Sequence, residues 1–465
     1  MTYDLDSIFY SQKEYFLTDI TRSYEWRIDQ LNRLESMLLE NQTAISDALA
    51  LDFKTARFEC SMEIYGTLGA IRHAKKELAN WMRPTEAPLP HKFVETGHRA
   101  TLQHEPYGVS LIIAPFNAPV ILTLEPLIAA LSAGNTAIVK PAQTTAALTA
   151  LYDELFAKYF EIEAVALVVG DRELVTDLLA LPFDFIFFTG STPVGKIVMR
   201  AAAEHLTPVL LELGGQNPVL VDATANLEDA AEKIVWGAMA FGGQWCVSPG
   251  YVYVHESVAD QFIDACKKAV LRLYGERPIE SPDFSRIITA QDVDRIAGML
   301  DGAPVVHGGQ FDRELRYVAP TIVYPANWSD RIMSSEIFGP VLPVLKYKNL
   351  SDVIETVKRQ PKSLAAYVFS TDDDVVRRFM STPTFGGGAV NQTMIQCLLS
   401  SSLPFGGVGL SGLGRYYGKY GFESLSHLKS IVYSDAQTKV DALLPPYNAT
   451  KERDLAVWFA EPEHH

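Results

Sequence analysis

Apolar residues recur at three- and four-residue spacing through residues 11–82, as in Ile28, Leu31, Leu34, Met37 and Leu38, with charged residues between them. That period belongs to helices with one buried face, so the segment predicts amphipathic helices packed on something larger. Residues 81–104 break the period, with Pro84, Pro88 and Pro90 among polar neighbours, and read as a connector or an extended arm. Between residues 109 and 215 the pattern becomes short apolar runs separated by helical ones: VSLIIAP, LEPLIAALSAG, TAIVKPA, a helix over about 146–160, VALVVG, DFIFFTG, a helix over 194–206, and PVLLELGG. Gly134 falls where a helix needs a left-handed terminal residue. Strand runs apolar on both faces and alternating with helices predict a parallel sheet covered on both sides. Such a sheet receives ligands outside the carboxyl ends of its strands.

A second α/β series runs from residue 217 to about 403: NPVLVD, a helix through Trp236, YVYVHES, a helix over 259–273, SLAAYVFS and GGGAVNQ. The tail after Tyr433 carries Pro445, Pro446 and a short amphipathic stretch over 455–459. It reads as an arm docking on this or another subunit, or as a loosely packed terminus. At roughly 150 residues per domain the length of 465 makes about three units, and 48% hydrophobic residues can fill a large core.

Charge and cysteine usage narrow the partners. Forty Lys and Arg against 56 Asp and Glu leave a net charge of -16, with no basic run to neutralise a phosphate backbone; nucleic acid is not expected. The most apolar segment, 107–134, is interrupted by Pro115, Asn117, Pro119, Glu125 and Pro126, whereas a membrane span needs ~20 residues with few charges. The start, MTYDLDSIFY, has no basic region leading into an apolar run, so no secretory signal is expected. Cys60, Cys246, Cys266 and Cys397 are far apart, with neither the C-x-x-C spacing of a zinc site nor the density of a disulfide scaffold. They read as reduced thiols of a cytoplasmic protein that binds no metal.

Several residues could carry chemistry. The run from Phe188 to Gly195, FTGSTPVG, follows a strand and opens a helix. Its glycines would let a phosphate approach a helix N-terminus, but the spacing lacks both the common dinucleotide fingerprint and a P-loop Lys, so an ordinary strand-to-helix turn also accounts for it. Lys140, at the end of TAIVK, could meet a ribose or phosphate oxygen or stand solvated. Cys246, in FGGQWCV, is either an accessible thiol or a small buried hydrophobe. Glu212, in an apolar strand, is either a buried carboxyl raised toward the range of a general base or a strand-end acid reaching water. Asn117, between Pro115 and Pro119, could donate to an oxyanion or simply make a turn.

The ordered set PFN, KPAQ, FTGSTPVG, ELGG, GGQWC, EIFGP and PFGGVGLSGLG, between residues 115 and 414, closely resembles the NAD(P)-dependent aldehyde dehydrogenase superfamily. The ending LPFGGVGLSGLGRYYGKYGFESLSH, with HLTPVLLELGG earlier, is similar to the class 3 branch, which includes fatty, benzaldehyde-type and coniferyl aldehyde dehydrogenases. The resemblance implies an α/β fold of the aldehyde dehydrogenase type, with two parallel-sheet Rossmann-type domains and a small β oligomerisation arm. Residues 1–85 and 106–212 would bind the cofactor, 213–403 would be catalytic, and 86–105 with 426–465 would form the arm and tail. A homodimer paired through 91–103 and the SIVYS strand near Ile431 is implied.

The resemblance also implies residue roles. Cys246 would be the nucleophile, Asn117 and the Cys246 N–H would hold the oxyanion, and Glu212 would activate water to hydrolyse the thioester. Lys140 would bind the adenosine ribose, Gly190, Ser191 and Gly195 the pyrophosphate, and Glu336 and Phe338 the nicotinamide ribose and ring.

Four positions depart from the family pattern. Gln143 replaces a Glu that in many members chelates the adenosine ribose; a neutral amide would not repel a 2′-phosphate, so NADP is expected to be accepted as well as or better than NAD. Phe241 stands where Asn is usual, Gln216 where Lys usually follows ELGG, and Trp245 where a smaller residue is common. With Trp236, Phe241 and Trp245 would make an aromatic, constricted substrate channel suited to flat aromatic or slender apolar aldehydes. Three alternatives stand beside the hydrolytic reading. They are transfer of the acyl group to coenzyme A, a catalytically silent binding protein of the same fold, and a thiol hydrolase independent of nicotinamide.

Overall fold

The computed structural model describes residues 3–397, 401–435, 437, 440 and 443–459. The rest of the 393–403 loop and of the tail lies outside the described residues. The N-terminal pattern forms four helices, Leu5–Leu17, Tyr24–Glu40, Gln42–Asp52 and Arg57–Trp81. The last three, with Leu31, Leu34, Met37 and Leu38 fully enclosed, share one core with the helix Ile121–Ala133, whereas Phe9 of the first joins a separate cluster. That helix is buried along its whole length, Glu125 included, and apolar residues occupy most of its circumference. Gly134 ends it at φ 89°; a Cβ there would lie 2.7 Å from the Arg27 guanidinium.

Six strands form the first sheet, in the order Gly412–Leu413, Val209–Leu213, Phe185–Gly190, Val109–Ile113, Thr136–Lys140 and Val165–Leu167. Every pairing is parallel except the first. There the chain returns from late in the sequence and lays Gly412 antiparallel against Glu212. Side chains alternate between two cores: Ile112, Phe187 and Leu210 face the N-terminal helices, while Leu111, Ile186 and Leu211 face a second cluster with Phe9 and Leu178. Burial on both faces is why these strands read as continuous apolar runs.

A second sheet of seven strands runs Val305–His307, Thr321–Val323, Val341–Tyr347, Pro249–His255, Asn217–Val221, Ala365–Phe369 and Gly387–Val390, again parallel but for its first strand. The proline-rich stretch resolves into Thr85–Ala87, the short helix His91–Glu95 and Arg99–Pro106. The last of these pairs antiparallel with both Thr85–Ala87 and Ser426–Tyr433 in a three-stranded sheet. The amphipathic tail forms the helix Ala449–Trp458, with Trp458 edge-on to Phe93 at 4.9 Å. No helix among the described residues is long and apolar enough to cross a membrane.

Candidate active site

The carboxyl ends of Val109–Ile113, Thr136–Lys140, Phe185–Gly190 and Val209–Leu213 lie side by side. Beyond them opens a cavity of about 450 Å³. Asn117, Glu212 and Cys246 meet in its wall, together with Gly190, Ser191, Glu336 and Phe338. Residues 117, 212 and 246 are thus gathered from three separate segments onto one space.

Cys246 is 7% exposed and stands on a loop whose backbone is fixed from several sides. After the helix Leu227–Met239 the chain turns through Phe241, Gly242 and Gly243 at φ 57°, 65° and 71°. A Cβ on Gly243 would fall 2.2 Å from the carbonyl carbon of Gly339, so only glycine lets this loop touch the segment carrying Glu336 and Phe338. The Asn217 amide donates to the carbonyls of Cys246 and Ser248, both at 2.8 Å, and its oxygen accepts from the Ala365 N–H. Gln244 donates to the carbonyls of Phe241 and Arg286 at 2.9 Å and accepts from the Ile288 N–H.

Glu212 lies opposite Thr189 in the parallel ladder and is fully enclosed. Neither carboxylate oxygen makes a well-formed hydrogen bond. Burial pushes its pKa up to about 7; the neighbouring Cys246 and Thr189 side chains oppose the rise and the Glu336 charge adds to it. A carboxyl balanced near neutrality can take a proton from water. Glu336 is likewise raised to about 7 by burial, against the Gly215 N–H and the Arg295 charge. Its carboxylate leaves no room on Gly214, where a Cβ would lie 2.1 Å from Oε2. Arg295 donates to the Ile337 carbonyl at 2.7 Å and holds that turn, and Phe338, at φ 47°, stands edge-on to Phe116 with centroids 5.8 Å apart.

The helix Thr192–Ala203 starts at Ser191 with no side-chain cap and with Pro193 in its first turn. Its leading N–H groups therefore point their partial positive charge outward. Gly195, one turn into the helix, does not line the cavity. Its N–H is bonded to the Ser191 carbonyl at 2.9 Å, and a Cβ would meet Leu213 at 2.7 Å, so it packs helix against strand. Lys140 ends its strand largely buried, with its amine pKa lowered by that burial, and Gln143 is exposed just beyond; neither lines the cavity. The uncapped helix start, the bare Gly190 and the Phe116–Phe338 wall suit a phosphate and a flat ring, so the residues present fit a dinucleotide.

Of the aromatic residues read as channel lining, Trp236 is half-buried against the core, and Trp245 adjoins Gly243, Glu336 and Phe338. Phe241 sits in the core, off the cavity. Its N–H is tied to Glu59, Lys54 Nζ lies 3.7 Å from its ring centroid, and Trp245 packs edge-on at 4.0 Å. Sequence reasoning passed over Thr189, Asn217, Arg295, Lys54, Glu59 and Glu63. Thr189 lies inside FTGSTPVG and Asn217 opens NPVLVD, and the signal for the last three is charge on the buried face of an amphipathic segment.

Comparison with known proteins agrees with this geometry. Residues 6–431 match the aldehyde dehydrogenase family. The 4,4'-diaponeurosporen-aldehyde dehydrogenase of Staphylococcus aureus is 40% identical over 446 residues, 95% of this chain and 96% of that protein. Human aldehyde dehydrogenase family 3 member B1 is 38% identical over 448 residues, 96% of this chain and 95% of its own length. The substrate-bound state of Staphylococcus aureus AldH superposes with a TM-score of 0.95 at 39% identity, covering 99% of this chain and 100% of that one. The chain belongs to the aldehyde dehydrogenase family, with the family 3 members among its relatives, and is an NAD(P)-dependent oxidoreductase.

Proposed function

We propose that the protein oxidises an apolar aldehyde to its carboxylic acid through a covalent intermediate on Cys246. The convergence of Cys246, Asn117 and Glu212 on one cavity carries this reading. The Cys246 thiolate adds to the carbonyl carbon, and the Asn117 amide with the Cys246 N–H holds the negative oxygen. Gly190, Ser191, Glu336 and Phe338 hold the dinucleotide, which supplies a hydride acceptor when bound. Once the hydride has left, a thioester joins the acyl group to sulfur. Glu212 takes a proton from water, the water oxygen adds to the thioester carbon, and the C–S bond breaks to release the acid and restore the thiolate. A carboxyl in this position favours water over coenzyme A as the acyl acceptor.

In this reading the six-stranded unit holds the nucleotide and the seven-stranded unit presents the thiol. The neutral, exposed Gln143 favours tolerance of the 2′-phosphate of NADP, with Lys140 beside it for the ribose. The stretch WGAMAFGGQWCV around the nucleophile carries no Lys or Arg, which favours uncharged aldehydes over carboxylate-bearing ones. Among the described residues the strand Ser426–Tyr433 has one unpaired edge, with Leu428 and Val432 49% and 61% exposed, which supports pairing of two copies there.

A panel of aldehydes run with NAD and with NADP tests the reading; 4,4'-diaponeurosporen-aldehyde belongs in it, with benzaldehyde and succinic semialdehyde. The expected result is kcat/KM with NADP at or above that with NAD, and benzaldehyde ahead of succinic semialdehyde. Turnover by Cys246→Ala at the wild-type rate would defeat the mechanism.

A further inference from the structure

Lys54 is fully enclosed between the helices Gln42–Asp52 and Arg57–Trp81, and the chemistry above makes no use of it. Its ammonium pairs with Glu63 and donates to the backbone carbonyl of Asn117 at 3.0 Å. Glu63 also accepts from the N–H groups of Val120 and Ile121 at 2.8 and 3.3 Å, where the helix after Asn117 begins. Glu59, one turn before Glu63, accepts from the Phe241 N–H and from the Ser285 hydroxyl, each at 2.6 Å. Lys54 closes the set by lying over the Phe241 ring. One buried cluster therefore grips the segment carrying Asn117 with one hand and the loop carrying Cys246 with the other.

Stability alone is a poor account of such a cluster, because apolar side chains of similar volume commonly pack as stably as a buried ion pair. Its geometry offers another account. The Asn117 amide must meet an oxygen that exists only while Cys246 is bonded to substrate, so the spacing between the two segments matters most at that moment. We propose that Lys54, Glu59 and Glu63 are positioning residues that set Asn117 and the Cys246 loop in register for oxyanion formation. The proposal rests on the roles of Cys246 and Asn117 given above, and it explains why a Phe at position 241 is compatible with the site: its ring is the cover of the buried ammonium.

The test compares Lys54→Met and Glu59→Leu with wild type and with Glu59→Gln, which keeps an acceptor for the Phe241 N–H. Three quantities are read: kcat with benzaldehyde, the Kd of NADP, and the rate of iodoacetamide alkylation at Cys246, a displacement that forms no oxyanion. Displacing a catalytic group by about 1 Å can cost about 100-fold. Lys54→Met is expected to lower kcat by roughly that factor, with NADP binding and alkylation changed by less than about threefold. The isotope effect for benzaldehyde deuterated at its carbonyl carbon should rise, as the oxyanion-dependent steps become limiting. Glu59→Leu is expected to lower both kcat and alkylation through the Phe241 loop, and Glu59→Gln to restore them to within about fivefold. Wild-type kcat in Lys54→Met, or a loss of kcat matched by an equal loss of NADP affinity, overturns the proposal. Should Lys54→Met fail to fold, the Glu59 pair decides: equal activity in Leu and Gln variants overturns it. A wild-type chain that oxidises no aldehyde sinks the reading of Cys246 and the positioning role together, whereas an active wild type with an indifferent Lys54→Met sinks the positioning role alone.

Discussion

Glu212 works where its surroundings put it. With its pKa raised to about 7 by burial, its basic form grows as the pH climbs through neutrality. Turnover limited by thioester hydrolysis should therefore rise with pH through about 7 and level off above it, as a kcat–pH profile would show. Glu212→Gln should flatten that profile and lower kcat by about 10²–10⁴-fold. It should still release one equivalent of reduced cofactor in a burst, because the reading assigns Glu212 to the water step alone. A variant with no burst would mean that Glu212 acts earlier. Glu212 and Cys246 were both visible in the sequence as residues of uncertain duty, since an acid in an apolar strand and a thiol beside two glycines each have a bland explanation. Phe241 was read as channel lining because its partner Lys54 belongs to another element, far earlier in the chain, and no local pattern couples the two.

Among elements, the parallel strands were the most legible. Runs such as VSLIIAP and DFIFFTG are apolar on both faces because helices cover both faces. The proline-rich stretch was ambiguous for the opposite reason: Arg99–Pro106 is a strand only through pairing with Thr85–Ala87 and Ser426–Tyr433. Contacts between elements were hidden altogether, as at Gly214, where the strand end Val209–Leu213 meets the Glu336 carboxylate and a Cβ would lie 2.1 Å from it. Gly214→Ala must displace that carboxylate at an overpacking cost of about 1–3 kcal/mol. If Glu336 holds the nicotinamide ribose, the KM for NADP should rise roughly ten- to hundredfold, with iodoacetamide alkylation of Cys246 unchanged. An unaltered KM would remove Glu336 from the cofactor site.

The whole molecule carries a pH dependence of its own. Burial raises Glu59, Glu212 and Glu336 to about 7 and Glu125 to about 8, from an ordinary 4.5. The folded chain therefore holds protons that the unfolded chain releases. The stability they contribute is complete below about 4.5 and is lost as the pH rises through 7 to 8. The net charge of -16 works in the same direction, since deprotonation adds repulsion to a chain already acidic. Thermal unfolding should give a Tm that falls as the pH is taken from about 6 to about 9; a Tm that climbs across that range would contradict the burial of these groups. The two sheets were readable from sequence at this scale, but the pairing of Gly412 with Glu212 was not, because nothing near either residue announces the other. That pairing has a consequence for biogenesis. A nascent chain emerging from the ribosome can assemble the other five strands of that sheet early, yet the outer flank of the Glu212 strand stays open until residues 412 and 413 have been translated. From the emergence of residue 213 until that of residue 413 the polypeptide thus presents a bare β flank to its surroundings, and a segment made some 200 residues later seals it.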